Sequence, residues 1–241
     1  MKSQEFKYRK LISAKGLVRS AVIEKESNLL ILAEKALTGP AHEILKKERK
    51  ELENYINKNP RFTKTFKPYG VSIFSPKIIK TMSRAAKRAN VGPMASVAGA
   101  IAEAVGKGLL KYSNEVIVEN GGDIFVKINK PRRIGVYAGT SKFSEKIAIE
   151  ISPQETPLGI CTSAGTVGHS VSFGAADAVV VAARSCALAD AAATAIGNVV
   201  KDEETIEEGL NIAKKIKGLH GVLIIKNDIM GAWGTLKIVS I

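Results

Sequence analysis

A chain of 241 residues with 45% hydrophobic and 24% charged side chains is long and apolar enough to bury a proper core, which excludes a disordered or fibrous protein. Its formal charge of +13 is unevenly placed: residues 1–91 hold 21 Lys+Arg against 8 Asp+Glu, and residues 92–241 hold 15 of each. The longest apolar runs, 175–183 and 186–200, are broken by Asp177 and Asp190 and fall short of a membrane span.

The opening MKSQEFKYRKLISAKG has no apolar signal core and no lipid-anchored Cys, so a cytoplasmic protein with no membrane partner is expected. Alternation over residues 5–14 and 17–25 predicts two strands paired around Lys15-Gly16, with a third over 28–36. A helix is expected from Thr38-Gly39-Pro40 to about Asn57, where Pro40 sits at a start position and Pro60 lies beyond the end. Ser75-Pro76 opens a second helix through about Ala89, with Ser75 as its cap. The basic residues of this front portion are mixed with helical apolar spacing and few aromatics, so a solvated basic face competes with phosphate attraction as their explanation.

From Gly92 to Ala100 the side chains are small, which implies very close packing against another helix or a ligand, and a helix continues to about Leu110. Strands are expected over 115–119, 124–128, 133–138, 146–151, 159–162 and 176–183, then helices over 186–199 and 203–217, then closing strands near 222–226 and 235–239. This mixed order with antiparallel hairpins predicts an α+β fold, and one domain spanning residues 1–241.

Four places carry chemistry. Asn120-Gly121-Gly122-Asp123 reads first as a hairpin turn, since Gly-Gly supplies positive φ; read functionally, its bare backbone approaches a phosphate or a heterocycle edge. The loop CTSAGTVGH, with Thr162, Ser163 and Gly165, offers hydroxyls and glycines for a diphosphate but lacks the P-loop Lys and the G-x-G-x-x-G fingerprint. His169, flanked by Gly, Ser and Thr, suits proton transfer or a phosphate contact as well as it suits a hydrogen-bonded loop. Asp190 and Thr194 lie four apart, one helical turn above each other, so carboxylate and hydroxyl can share a hard cation such as Mg²⁺ or Ca²⁺; equally, Asp190 can answer the helix dipole and Thr194 bond back to its own helix. Cys161 and Cys186 match no zinc or redox spacing and read as buried thiols.

The order NGGD, a strand into TSxG, a His-containing loop, a strand VVV and a helix ADAxATA resembles the FAD:protein FMN transferase (ApbE) family. The matching residues are Asn120–Asp123, Thr162–Gly165, His169 and Ala189–Ala195, while Val97–Glu103 is similar to the family's AKGYAVD helix start. The match covers about residues 92–200 and is closest to a compact cytoplasmic branch of ApbE-like proteins. The resemblance implies a T-fold-related, mostly antiparallel sheet with packed helices, FAD held with a divalent metal, and transfer of FMN to a Thr or Ser of a partner protein, or FAD hydrolysis. It also implies Mg²⁺ on Asp190 and Thr194 with a backbone carbonyl near Val97, Asn120 to Asp123 with Thr162, Ser163 and Gly165 at the flavin nucleotide, and His169 as general base. Three positions depart from the pattern. Ser172 and Phe173 stand where the family has Asp-Pro after its His, leaving Asp177 as the candidate orienting carboxylate, and Ala98 stands where the family has Lys. Binding is therefore better supported than transfer. The rival expectation is a non-catalytic nucleotide- or RNA-associated protein that keeps the pocket. A homo-oligomer is expected in either case.

Overall fold

The computed structural model describes residues 7–165 and 174–241. Eleven strands are described: β1 Val18–Glu24, β2 Ser27–Ala33, β3 Val116–Asn120, β4 Asp123–Lys127, β5 Arg132–Gly135, β6 Ile147–Ile151, β7 Leu158–Ser163, β8 Ala178–Ala183, β9 Leu219–Lys226, β10 Ile229–Gly234 and β11 Lys237–Ser240. Six α-helices accompany them: α1 Thr38–Lys58, α2 Arg61–Lys64, α3 Lys77–Ala89, α4 Val97–Leu109, α5 Cys186–Gly197 and α6 Ile206–Lys215. An eight-stranded sheet runs β1-β2-β3-β4-β7-β8-β9-β10 and a smaller one β11-β6-β5, with every pairing antiparallel.

Alternation divides the large sheet into two buried faces. Leu29, Ile31, Val118, Phe125, Val179 and Val181 face the helices, and Leu30, Leu32, Ile117, Ile124, Val180 and Leu223 face the small sheet. Both faces being covered explains why β8, AVVVAA, is apolar at every position. Each fully buried Val, Leu or Ile contributes about 1.5–3 kcal/mol of transfer free energy. Helix α4 is pressed onto the sheet through Gly106, where a Cβ would lie 2.1 Å from the Phe125 ring. The α+β class and the predominantly antiparallel sheet are as expected.

Three local expectations are corrected. Within the expected 5–14 strand, the described residues 7–14 do not form one: Lys7–Leu11 is a 3-10 turn, and Ile12 makes a single bridge to Ile134. The turn lets adjacent Tyr8 and Arg9 both reach Glu119, which strand alternation would forbid. The 17–25 strand pairs forward with β2 instead, around Lys25 at φ +52°. Ser75 is not the cap of α3: Pro76 stands at that position, and no side-chain cap bond is made. Strand β10, IMGAWG, was not expected, because Gly231 and Gly234 interrupt its alternation.

Candidate functional site

The β3–β4 hairpin ends on the Asn120–Asp123 pair, closed by Gly121 at φ +65° and Gly122 at φ +100°. Two consecutive positive φ values are what glycine supplies at little steric cost, so the turn reading of this motif holds. The same turn is turned toward α4. Asn120 Nδ2 donates to the Ala98 carbonyl at 3.1 Å, and the Gly122 N–H donates to Glu119 Oε1 at 2.9 Å. Glu119, fully buried, is anchored from the opposite face by Arg9 Nε at 2.5 Å and Tyr8 Oη at 3.2 Å.

Asp190 approaches the same point from α5. The Ser185 hydroxyl caps this helix by accepting from the Leu188 N–H at 3.4 Å. Its alanine-rich body lets neighbouring backbones come close: a Cβ at Gly159 would lie 2.3 Å from Cys186 Cα, and one at Gly99 would lie 2.6 Å from the Cys186 carbonyl oxygen. That proximity brings the α4 N-terminus onto Asp190, whose Oδ2 accepts the Gly99 N–H at 2.8 Å. Asp190 keeps part of its surface toward solvent. Even so, burial pushes its carboxyl up to about 7, against the opposing bonds from the Gly99 and Ala98 N–H groups. Asp123 is driven well above the usual carboxylate range, first by burial, then by the Asp190 charge, with the Cys161 thiol bond opposing and Glu119 adding to the rise. Two carboxyl groups from distant parts of the chain thus share one poorly solvated field.

The remaining predicted residues divide into three groups. Thr162 and Ser163 end β7 beside the hairpin: a Gly122 Cβ would lie 3.5 Å from the Thr162 carbonyl oxygen, and Ser163 Oγ would be 3.4 Å from a Gly197 Cβ. Thr194 lies one turn beyond Asp190 on α5 and is partly exposed. Gly165 donates to the Ala176 carbonyl and lies against Gly174, whose own Cβ would collide with the Gly197 carbonyl oxygen. His169 falls outside the described residues. Asp177 has a different setting: its Oδ2 accepts the Asn227 N–H at 2.5 Å, and its own N–H donates to the Ile225 carbonyl, tying the start of β8 to the β9–β10 turn.

Sequence reasoning missed three contributors. Glu119 precedes the motif by one residue and reads as an ordinary strand residue. The N–H groups of Ala98 and Gly99 carry no side-chain signal. Cys161 and Cys186, free and buried with Sγ atoms 3.5 Å apart, form the floor under Asp123 and Asp190, and burial raises both thiols. Beside the hairpin a groove of about 500 Å³ runs between α1 and α4, with Leu52, Ile56, Met94, Val97 and Ile101 along it and Asn120 at its border.

A hard cation fits these residues. Asp190, the Thr194 hydroxyl and backbone carbonyls at the start of α4 are oxygen donors, and a buried carboxyl pair with raised proton affinity is a site short of positive charge. Among the described residues no group of three or more His, Cys, Asp or Glu is placed to hold a metal. The protein would therefore supply few ligands and leave the rest to phosphate oxygens and water, as is usual for Mg²⁺.

An antiparallel sheet with helices packed on one face and a small sheet on the other is the architecture of solved ApbE structures. Solved structures with the same fold include the flavin transferase ApbE from Vibrio cholerae, with a TM-score of 0.58, 16% identity, and 90% of this chain and 96% of that chain covered. The flavinyl transferase ApbE from Pseudomonas stutzeri gives a TM-score of 0.56 at 12% identity, covering 91% and 94%. The family model described as "AbpE bacteria" matches residues 9–218, and the chain belongs to that family within the ApbE-like superfamily. Among its relatives, a UPF0280 protein from Methanocaldococcus jannaschii is 44% identical over 224 residues, covering 90% of this chain and 91% of the relative. A UPF0280 protein from Methanococcus aeolicus is 41% identical over 221 residues, covering 90% and 89%.

Proposed function

We propose that this protein binds the flavin nucleotide FAD together with Mg²⁺ where the β3–β4 hairpin, the α4 start and Asp190 meet. We propose further that it passes the FMN portion to a hydroxyl of an acceptor protein or to water. The observation that carries the reading is the convergence of Asn120, Asp123, Asp190 and the α4 backbone on one point, drawn from segments up to 91 residues apart. Residues 1–241 act in this reading as one domain, because the large sheet takes strands from Val18 through Gly234.

Asp190 and Thr194 would hold the cation, with carbonyls at the start of α4 as further donors. When bound, Mg²⁺ neutralises the diphosphate and polarises the attacked phosphorus. The chain's own residues do the rest. Gly121 and Gly122 leave the hairpin backbone bare for close approach, and Asn120 fixes the hairpin against α4. Thr162 and Ser163 present hydroxyls at the end of β7. His169 would take the proton from the attacking hydroxyl. Asp177, whose Oδ2 accepts the Asn227 N–H, would orient it through its other carboxylate oxygen. In the transfer, the acceptor oxygen bonds the FMN phosphorus, the diphosphate bridge breaks, and AMP leaves. With water in place of the acceptor, the products are FMN and AMP.

The test is incubation of the purified protein with FAD, with and without Mg²⁺, followed by chromatography. Appearance of AMP with FMN, or with flavin attached to an added Thr-containing acceptor, is expected only with the metal. FAD that binds but stays intact would leave a flavin-binding protein without transferase activity.

A further inference from the structure

The flavin reading leaves the most lopsided part of the chain unused. Between Glu53 and Glu103 there is no Asp or Glu, while nine Lys or Arg occur. The structure arranges the second half of that run as a line. Helix α3 buries Ile78, Ile79, Met82, Ala85 and Ala86, which leaves Lys77, Lys80, Arg84, Lys87 and Arg88 along its outer side over about 16 Å. The row does not end with the helix: Arg88, Lys215, Lys217 and Gly218 surround a hollow of about 500 Å³ beside the end of α6. Among the described residues none of these seven cations is in an ion pair, although Glu48 of α1 lies close enough to Lys77 to feel its charge. Three large apolar side chains stand out from the loop between α2 and α3, which runs back alongside the helix: Phe74 at 90% and Ile73 at 77% exposure by the start of α3, where Lys80 Nζ donates to the Ile73 carbonyl at 3.0 Å, and Phe66 at 67% beyond its end, beside Gly92.

Local helix energetics do not account for the row. Lys87, Arg88 and Lys215 sit in last turns, where the helix dipole welcomes cations. Lys77 and Lys80 sit in the first turn of α3, where the dipole opposes them and the turn itself carries no acid, Glu48 of α1 being the acid that Lys77 meets. A second copy of the chain is a poor occupant, since each copy carries +13. A flat bilayer would meet the apolar tip but not the hollow. A straight line of cations running into a three-cation hollow, with an exposed aromatic ring near each end of the helix, has the shape and charge of a track for a flexible chain of phosphates.

We propose that the outer face of α3 binds single-stranded nucleic acid, with phosphates along Lys77 to Arg88 and into the hollow with Lys215 and Lys217, and bases stacking on Phe66 and Phe74. The site is independent of the flavin reading and holds whether or not FAD binds.

Fluorescence anisotropy of the full chain with a labelled 12-nucleotide oligo-U, from 50 to 300 mM KCl, tests it. If about five phosphates are neutralised, log K should fall against log salt with a slope of about −3.5. The Arg84→Ser, Lys87→Ser, Arg88→Ser triple variant should flatten that slope by about 2 and weaken binding at least tenfold at low salt. Phe66→Ala with Phe74→Ala should weaken binding about fivefold or more while leaving the slope unchanged. Lys111→Ser, an exposed cation outside the row, should change nothing, and circular dichroism checks that each variant is folded. The proposal is overturned by absence of oligo-U binding at 50 mM KCl, by a triple variant that binds with the wild-type slope, or by a face that takes phosphatidylglycerol vesicles and not the oligonucleotide.

Discussion

At Asp190 two demands meet on one carboxylate. Its Oδ2 accepts the Gly99 N–H at the start of α4, a structural duty, while burial raises its proton affinity until it titrates at about 7. A cation can bind only the ionised form, so Mg²⁺-dependent FAD binding should tighten from pH 5 to about 7 and then level off. Asp190→Asn keeps the hydrogen-bond acceptor and removes the charge. It should weaken the Mg²⁺-dependent binding by about tenfold or more, abolish that pH dependence, and leave the melting temperature at pH 8 equal or higher; isothermal titration and thermal unfolding read the two. Unchanged affinity would remove Asp190 from the metal site. Its spacing to Thr194 was legible because helical periodicity is a local property. The partnership of Asp190 with Asp123, 67 positions away, was not, since only the β3–β4 register and the seating of α5 on β7 create it.

Elements meet at this site through glycines, and each makes a separable prediction. Gly99 lies against the Cys186 carbonyl and Asp190 Cβ, so Gly99→Ala must push α4 off α5. A loss of about 1–3 kcal/mol in urea unfolding is expected, whereas Gly39→Ala, in open space on α1, should be neutral or slightly stabilising. The hairpin offers a cleaner probe of ligand approach. Gly121 has open space around it and a φ of +65°, which Asn tolerates, so Gly121→Asn should keep the fold while its added bulk weakens FAD binding several-fold. Full binding by this folded variant would place the ligand elsewhere. Most helices and strands were readable from periodicity and punctuation because their buried faces are regular. The 3-10 turn at Lys7–Leu11 was not, since its conformation is set by Glu119 more than 100 positions away, and β10 was hidden by glycines that pack against α6 and the β9 backbone.

Across the whole molecule, the small sheet is joined to the large one by a buried ion pair. Arg132, at the head of β5, reaches Glu115 Oε2 at 2.5 Å, and Glu115 Oε1 accepts the Asn129 N–H at 2.7 Å just before β3 begins. Burial alone would raise the Glu115 carboxyl, but the Arg132 bond, the Asn129 N–H and the Arg132 charge overcome it and leave it below its ordinary value. The sign of its linkage follows: Glu115 adds stability above its unfolded value near 4.5, and that contribution is lost as pH falls through the lowered folded value. Asp123 and Asp190 act in the opposite sense. With raised folded values they favour the native state most fully below about 3.8, and their contribution is lost progressively as pH rises, that of Asp190 through about 7. Metal-free protein should therefore be most stable near pH 4, where Glu115 is ionised and the Asp pair still holds its protons, losing stability on the acid side through Glu115 and from there up to about pH 7 through the Asp pair. Glu115→Ala should cost about 3–5 kcal/mol near neutrality, because it strands a buried guanidinium, and should flatten the acid limb. Asp190→Asn should flatten the neutral limb and leave the acid one intact. Urea unfolding from pH 3.5 to 8 measures all three proteins, and an alkaline decline that persists unchanged in Asp190→Asn would show that the carboxyl pair is not its source.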